Sequence, residues 1–197
     1  MSETIRSVPR EELTPALQES WDFVYRLTGQ AAFIEKGAHA PELLDFTMTD
    51  FYGKIFYGGR VDEKLKHLAR LRMSLGHGCR SCNLGNTQGA SEAGYSEAEL
   101  HAIEGDRSIF SAAEQAVLEL ADQFLMTNVH GHLEPDLYAR LRAHFDDAQI
   151  LELGTVMSYL GGLAKMLFVF DMAEKEETCP FVPRAKADES AMAIAAE

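Results

Sequence analysis

An all-α fold is predicted by three observations. Apolar residues recur at helical spacing in one segment after another. Helix-start signals punctuate the chain at Thr14-Pro15, Ala40-Pro41, Ser96 with Glu99, and Ser111 with Glu114. No stretch alternates apolar and polar residues between hairpin turns. At 197 residues the chain can build one well-buried core, so a single helical domain is expected over residues 1–172, with an extension over 173–197.

Residues 1–12 read as a polar lead-in. Thr14 as N-cap and Pro15 at the first helical position start a helix carrying Leu17, Trp21, Val24, Tyr25 and Leu27 up to Gly29. A connector with Phe33 and Ile34 leads to a second proline-started helix at Pro41, which carries Leu44, Phe46, Phe51 and Ile55 and stops at Gly58-Gly59. Asp62 caps the next helix, whose apolar positions Leu65, Leu68, Leu71, Met73 and Leu75 run to a stop at Gly76. A helix from Cys79 to Ala93 follows, with Gly94 as its stop. Gly85 and Gly89 lie four apart on one side of it, where another helix can approach closely.

The two capping boxes open a short helix ending near Gly105 and a longer one through Ala116, Val117, Leu120, Ala121 and Phe124. Pro135 starts another, and Asp146 or Asp147 caps an almost continuously apolar helix from Ile150 to Phe170. A helix apolar on all sides is expected at the centre of the fold or between subunits. Beyond Met172 come charged and Ala-rich segments, with Cys179-Pro180-Phe181-Val182-Pro183 extended between them, either mobile or laid on a neighbour.

The formal net charge of −13 is spread along the chain, which argues against nucleic-acid or anionic-membrane partners. Met1 to Glu12 does not resemble a signal peptide, and the apolar run Leu160 to Met172 is interrupted by Gly161, Gly162, Lys165 and Asp171. A cytoplasmic location is expected. Three cysteines in a reducing compartment are no disulfide framework, and a close pair there points to catalysis or metal binding.

That pair, Cys79 and Cys82, stands just after a glycine-flanked turn, Gly76-His77-Gly78, at a predicted helix start. Unpaired N–H groups and the dipole at a helix N-terminus favour thiolate over thiol, and the spacing brings the two sulfurs within bonding reach. A redox dithiol is the reading this pattern favours. A zinc site of His77, Cys79 and Cys82 would lack a second Cys-x-x-Cys or a His pair, so no metal is expected. Two inert cysteines are the third reading. The glycines before Cys79 follow no strand, so no dinucleotide and no other organic cofactor is expected.

Among the histidines, His39, His101, His130, His132 and His144 receive no role. His67 lies on the helix before Cys79, where a helix–turn–helix hairpin folds it back towards the sulfurs as a proton acceptor, or leaves it a surface residue. His77 is an accessory candidate or a turn residue. Asn86 lies one helical turn beyond Cys82 on the same face.

These features resemble the carboxymuconolactone decarboxylase and alkylhydroperoxidase D-like superfamily. The match runs from about Pro41 to Ile103, through the Cys-x-x-Cys helix and Glu92-Ala93-Gly94-Tyr95-Ser96-Glu97-Ala98-Glu99-Leu100. Ala143-His144-Phe145-Asp146-Asp147-Ala148-Gln149-Ile150 is similar to the family's C-terminal portion, so the family core covers residues 41–170 or so. The resemblance implies an alkylhydroperoxidase D-like helical bundle, with a helix hairpin carrying the Cys-x-x-Cys, assembled as a trimer or hexamer. It also implies a peroxidase in which Cys82 reduces the peroxide, Cys79 resolves it, and an external dithiol or redox protein restores both.

The redox branch has Glu at the position of His67 and His at the position of Asn86. Asn86 cannot act as a general base near neutral pH. The expectation is therefore that His67 takes over the base role and Asn86 orients it or a relay water. A non-redox lyase or isomerase of the decarboxylase type, and a non-catalytic oligomeric binding protein, are the competing expectations.

Overall fold

Helix starts fall where their capping residues stand. In the computed structural model, which describes residues 5–177 and 179–180, Thr14 accepts the Leu17 N–H and Pro15 opens α1 (Pro15–Thr28). Gly29 ends it in the left-handed region at φ 78°. The connector forms a short helix, α2 (Ala32–Gly37). The second proline-started helix, α3 (Pro41–Asp45), continues as a π-helical segment over Phe46–Phe56. Its wider winding brings Phe51 and Phe56, five residues apart, into the core together.

The helices α4 (Glu63–His77) and α5 (Arg80–Glu92) form a hairpin. Then come α6 (Glu97–Ala102) and α7 (Ala112–Gln123), each opened by its predicted capping box. The last two are α8 (Pro135–Arg142) and α9 (Asp147–Val169), the latter capped by Asp146 with Gln149. Among the described residues there is no β-strand; one isolated bridge pairs Cys79 with Lys175.

At the centre stands α4, packed on α5, α7 and α9. One side of it, Ala69 and Met73, faces the main core, with Phe51, Phe56, Val117, Leu141, Leu153 and Met157. Its Leu68 and Leu71 enter a second cluster, with Ala90, Tyr95, Ile103 and Phe110. A helix used on both sides leaves few positions for water, and even Lys66 on it is fully buried. Its ammonium donates to the carbonyls of Ile55 (2.7 Å) and Phe56 (3.0 Å) and pairs with Glu152 Oε1 of α9 at 2.7 Å. Glu152 also accepts the N–H groups of Arg60 and Val61. Burial pushes this carboxyl up, but Lys66 and the two amides more than offset it and hold it below its ordinary value.

One expectation is corrected, and one that had two alternatives is reduced to one. First, α4 does not stop at Gly76. A Cβ there would come within 2.8 Å of the Leu125 side chain, so Gly76 serves a close approach inside the helix. The stop is Gly78, in the left-handed region at φ 64°. Second, α9 is not enclosed within the chain. It buries Ile150, Leu153, Val156, Met157, Leu160 and Phe168, while Leu151 (72% exposed) and Val169 (58%) face outward. It is also the one described helix long and apolar enough in composition to cross a membrane, although its Glu152 is committed to Lys66.

Beyond α9 the chain folds back onto the α4–α5 turn. Arg80 N–H donates to the Glu174 carbonyl at 2.9 Å, and Glu176 N–H donates to the Gly78 carbonyl at 2.8 Å. This part of the extension is neither loose nor on a neighbour, because the turn offers it an unpaired backbone edge. Phe181, Val182 and Pro183 of the expected extended stretch, and the Ala-rich final residues, lie outside the described residues.

Candidate redox site at the start of α5

The left-handed Gly78 ends α4 and turns the chain so that Cys79 becomes the N-cap of α5. Its sulfur takes the place of a capping hydroxyl: Cys82 N–H donates to Cys79 Sγ at 3.3 Å. The two cysteines are joined as a disulfide. Their exposures differ, Cys79 being 1% exposed and Cys82 half-buried. Of the pair, only Cys82 keeps part of its surface open to solvent.

Cys79 packs in one buried cluster with Phe168 of α9 and Cys179 of the returning segment, and Cys82, Met126 and Ala173 lie against it. Around the turn most polar groups are matched, with Asn83 Oδ1 buried and without a hydrogen-bond partner among the described residues. Buried Ser81 Oγ accepts from Gln30 Nε2 at 2.6 Å and from Glu174 N–H at 2.9 Å. Asn83 Nδ2 donates to Glu176 Oε1 at 3.3 Å, and Arg80 forms an ion pair with Glu174.

Of the other expected site residues, Asn86 is buried on the inner side of α5, where its Nδ2 donates to the Arg70 carbonyl at 3.4 Å. His67 is folded back by the hairpin, but against Gly89, where a Cβ would come within 2.9 Å of the ring. Gly89 is seven residues past Cys82, about 10 Å along the helix axis at about 1.5 Å per residue. The hairpin therefore brings His67 beside α5 but not to hydrogen-bond reach of the sulfurs. It stacks edge-on to Phe56 at 5.0 Å, and its Nδ1 has no hydrogen-bond partner among the described residues. Burial, and then the Arg70 charge, press it down to about 4, so it is a neutral imidazole at pH 7.

His77 is buried as well. Its Nε2 accepts the Met126 N–H at 3.2 Å, which uses that nitrogen to hold the loop after α7. Burial, with a smaller contribution from Arg72, lowers it to about 4. Among the described residues no three His, Cys, Asp or Glu side chains are grouped to hold a metal ion.

Sequence reasoning placed Cys179 in the extension without a role; in the fold it belongs to the sulfur cluster. The only signal in the sequence was a third cysteine next to a proline. Two open grooves flank the site. One, of ≈ 390 Å³, is lined by Phe124, Met126, Met157, Ser158, Gly161, Gly162 and Lys165, and shares Met126 with the sulfur cluster. The other, of ≈ 730 Å³, runs over the polar outer face of α5 past Asn83, Thr87 and Glu176.

Residues 41–123, which contain the Cys-x-x-Cys turn, match the model of the carboxymuconolactone decarboxylase family. The uncharacterized protein YdfG of Bacillus subtilis (strain 168) is 26% identical over 103 residues, which is 51% of this chain and 69% of its own. Among solved structures, the debrominase Bmp8, as a cysteine-to-alanine variant in complex with 2,3,4-tribromopyrrole, superposes with a TM-score of 0.69 at 18% identity. The match covers 96% of this chain and 98% of that one. ATU0492 from Agrobacterium tumefaciens, a protein of unknown function proposed as the antioxidant defence protein AhpD, gives 0.60 at 20% identity over 68% and 92% of the two chains. At these identities the structural likeness is one of fold. The helical hairpin, its Cys-x-x-Cys turn and the matched segment agree: residues 41–123 of this chain match the carboxymuconolactone decarboxylase family, on a fold shared with Bmp8 and ATU0492.

Proposed function

We propose that the protein is a thiol-dependent oxidoreductase that reduces peroxides through Cys82, with Cys79 as the resolving thiol. The observation that carries this reading is the Cys79–Cys82 disulfide at the first turn of α5, with one sulfur half-buried and the other enclosed. The Cys82 thiolate attacks one oxygen of the peroxide, the O–O bond breaks, and water or an alcohol leaves a sulfenic acid on Cys82. Cys79 then displaces the sulfenic hydroxyl as water and forms the disulfide. The N–H aimed at Cys79 Sγ suits it to act as nucleophile here, and as leaving group when a reductant attacks Cys82. An external dithiol or redox protein supplies the two electrons that restore both thiols.

Proton handling is proposed for the inner face of the hairpin. Asn86 follows Cys82 by one turn and His67 lies beyond it, so His67 acts through an intervening group and not by contact. The exposed apolar side of α9 is assigned to a further copy of the chain, in a homo-oligomer of three or six subunits.

A second reading is favoured by the apolar lining of the groove that shares Met126 with the sulfur cluster, and by the near-complete overlap with a debrominase. The same dithiol would reduce a halogenated aromatic ring: two thiols become a disulfide, C–Br becomes C–H, and bromide and a proton are released. Both readings are tested on the fully reduced protein, treated separately with an organic hydroperoxide and with 2,3,4-tribromopyrrole. Loss of two thiols per alcohol formed supports the first reading; loss of two thiols per bromide released supports the second. A lyase activity that survives Cys79→Ser and Cys82→Ser, with no thiol lost to either compound, overturns both.

A further inference from the structure

The third cysteine is buried, is used by no step above, and lies against the site. Cys179 is 5% exposed and shares the cluster of Cys79 and Phe168, with Cys82 packed against it. Its thiol donates to the His77 carbonyl at 3.2 Å, two residues before Cys79. Its backbone lies directly on the turn: a Cβ at Gly78 would stand 2.7 Å from Cys179 Cα and 3.0 Å from its Cβ. Only glycine at 78 allows this approach, apart from the left-handed φ it also needs. The segment that delivers Cys179 is tied to the turn by Arg80 N–H to the Glu174 carbonyl, Glu176 N–H to the Gly78 carbonyl, and Glu174 N–H to Ser81 Oγ. Cys79, at 1% exposure, is closed to an outside thiol, whereas Cys179 is already beside it.

We infer that Cys179 is a third redox cysteine, which takes over the Cys79–Cys82 disulfide by thiol–disulfide exchange. The Cys179 thiolate attacks Cys79 Sγ, the Cys79–Cys82 bond breaks, a Cys79–Cys179 bond forms, and the Cys82 thiolate leaves and takes up the proton given up by Cys179. No electrons enter or leave the chain in this step. Its consequence is that Cys82, the sulfur that meets the substrate, returns to the thiol form while the oxidation is stored under the C-terminal segment. The relay rests on the redox reading of Cys79 and Cys82.

The experiment uses the full chain. Fully reduced protein is oxidised with one equivalent of diamide, the reagent is removed, N-ethylmaleimide is added under native conditions, and the bridges and adducts are mapped by mass spectrometry. Exchange predicts an adduct on Cys82 together with a Cys79–Cys179 bridge, in growing yield as the trap drains the equilibrium, and loss of that adduct in Cys179→Ser. A persisting Cys79–Cys82 bridge, with Cys179 labelled or untouched, overturns the inference. So does labelling of Cys82 in oxidised Cys179→Ser, or a disulfide-linked dimer on a non-reducing gel. Hydrogen peroxide in place of diamide separates the two claims. If peroxide leaves all three thiols reduced while diamide yields the Cys79–Cys179 product, the peroxidase reading falls and the exchange stands.

Discussion

The thiol of Cys179 hydrogen-bonds the backbone carbonyl of His77 at 3.2 Å, joining the last described stretch of the chain to the end of its central helix. With the Glu174 and Glu176 backbone contacts, this closes the C-terminal segment over the α4–α5 turn and leaves Cys79 1% exposed.

If the segment limits access, removing it changes the disulfide's reactivity. A chain ending at Ala173 is expected to have its Cys79–Cys82 bridge reduced by dithiothreitol roughly tenfold faster, because both sulfurs then become open to attack. Acid-quenched alkylation over time measures the rate. An unchanged rate in a truncated protein that keeps its helical circular dichroism would show that the segment does not limit access.

His67 and Asn86 are separated by their reach. If His67 acts as the proposed relay through Asn86, it supplies a modest part of the roughly 10²–10⁴-fold that direct general-base catalysis gives. His67→Ala is therefore expected to slow oxidation of Cys82 by about tenfold and to raise the apparent pKa of its thiol in the pH–rate profile. The same rate and profile as the parent would reduce His67 to packing against Gly89 and Phe56.

Stability should depend on pH through the two buried imidazoles. Both are held at about 4 in the fold by burial, whereas an unfolded histidine titrates near 6.5. Between those values the unfolded chain binds more protons, so stability rises with pH across that window. The contribution is fully present above about pH 6.5 and is lost as pH falls towards about 4, roughly 3 kcal/mol for each imidazole. Urea midpoints at a series of pH values measure the slope, and His67→Leu should flatten it. A slope equal to that of the parent would show that His67 is not buried neutral in solution.

The Lys66–Glu152 pair carries a larger stake. Glu152→Gln leaves a fully buried ammonium without its counter-charge, and a loss of about 3–5 kcal/mol is expected. The double variant Lys66→Met with Glu152→Leu should recover most of it, because it removes both charges from the interior. Chemical denaturation of the three proteins decides the matter. A single variant within about 0.5 kcal/mol of the parent would mean that water reaches the pair.

Helix starts were legible because capping is local: Thr14, Asp62, Ser96, Ser111 and Asp146 bond N–H groups within three residues of themselves. The all-α class, the Cys79–Cys82 pair and its helix-start setting followed from the chain alone for the same reason. Gly76 and Gly78 looked alike in sequence. Only the approach of Leu125 to one, and the left-handed φ and returning segment at the other, assigned close packing to the first and the turn to the second.

Whether His67 reaches the sulfurs depended on the register of α4 against α5, which the hairpin turn and the packing of both helices decide together. That register set His67 on Gly89 and Asn86 on the Arg70 carbonyl. Cys179 is separated from Cys79 by most of the fold, and no local pattern encodes a contact across that distance. The cysteines and their helix start belong to the sequence. The enclosure of one sulfur, the exposure of the other and the arrival of a third belong to tertiary structure, because burial is a property of what packs around a residue and not of the residue itself.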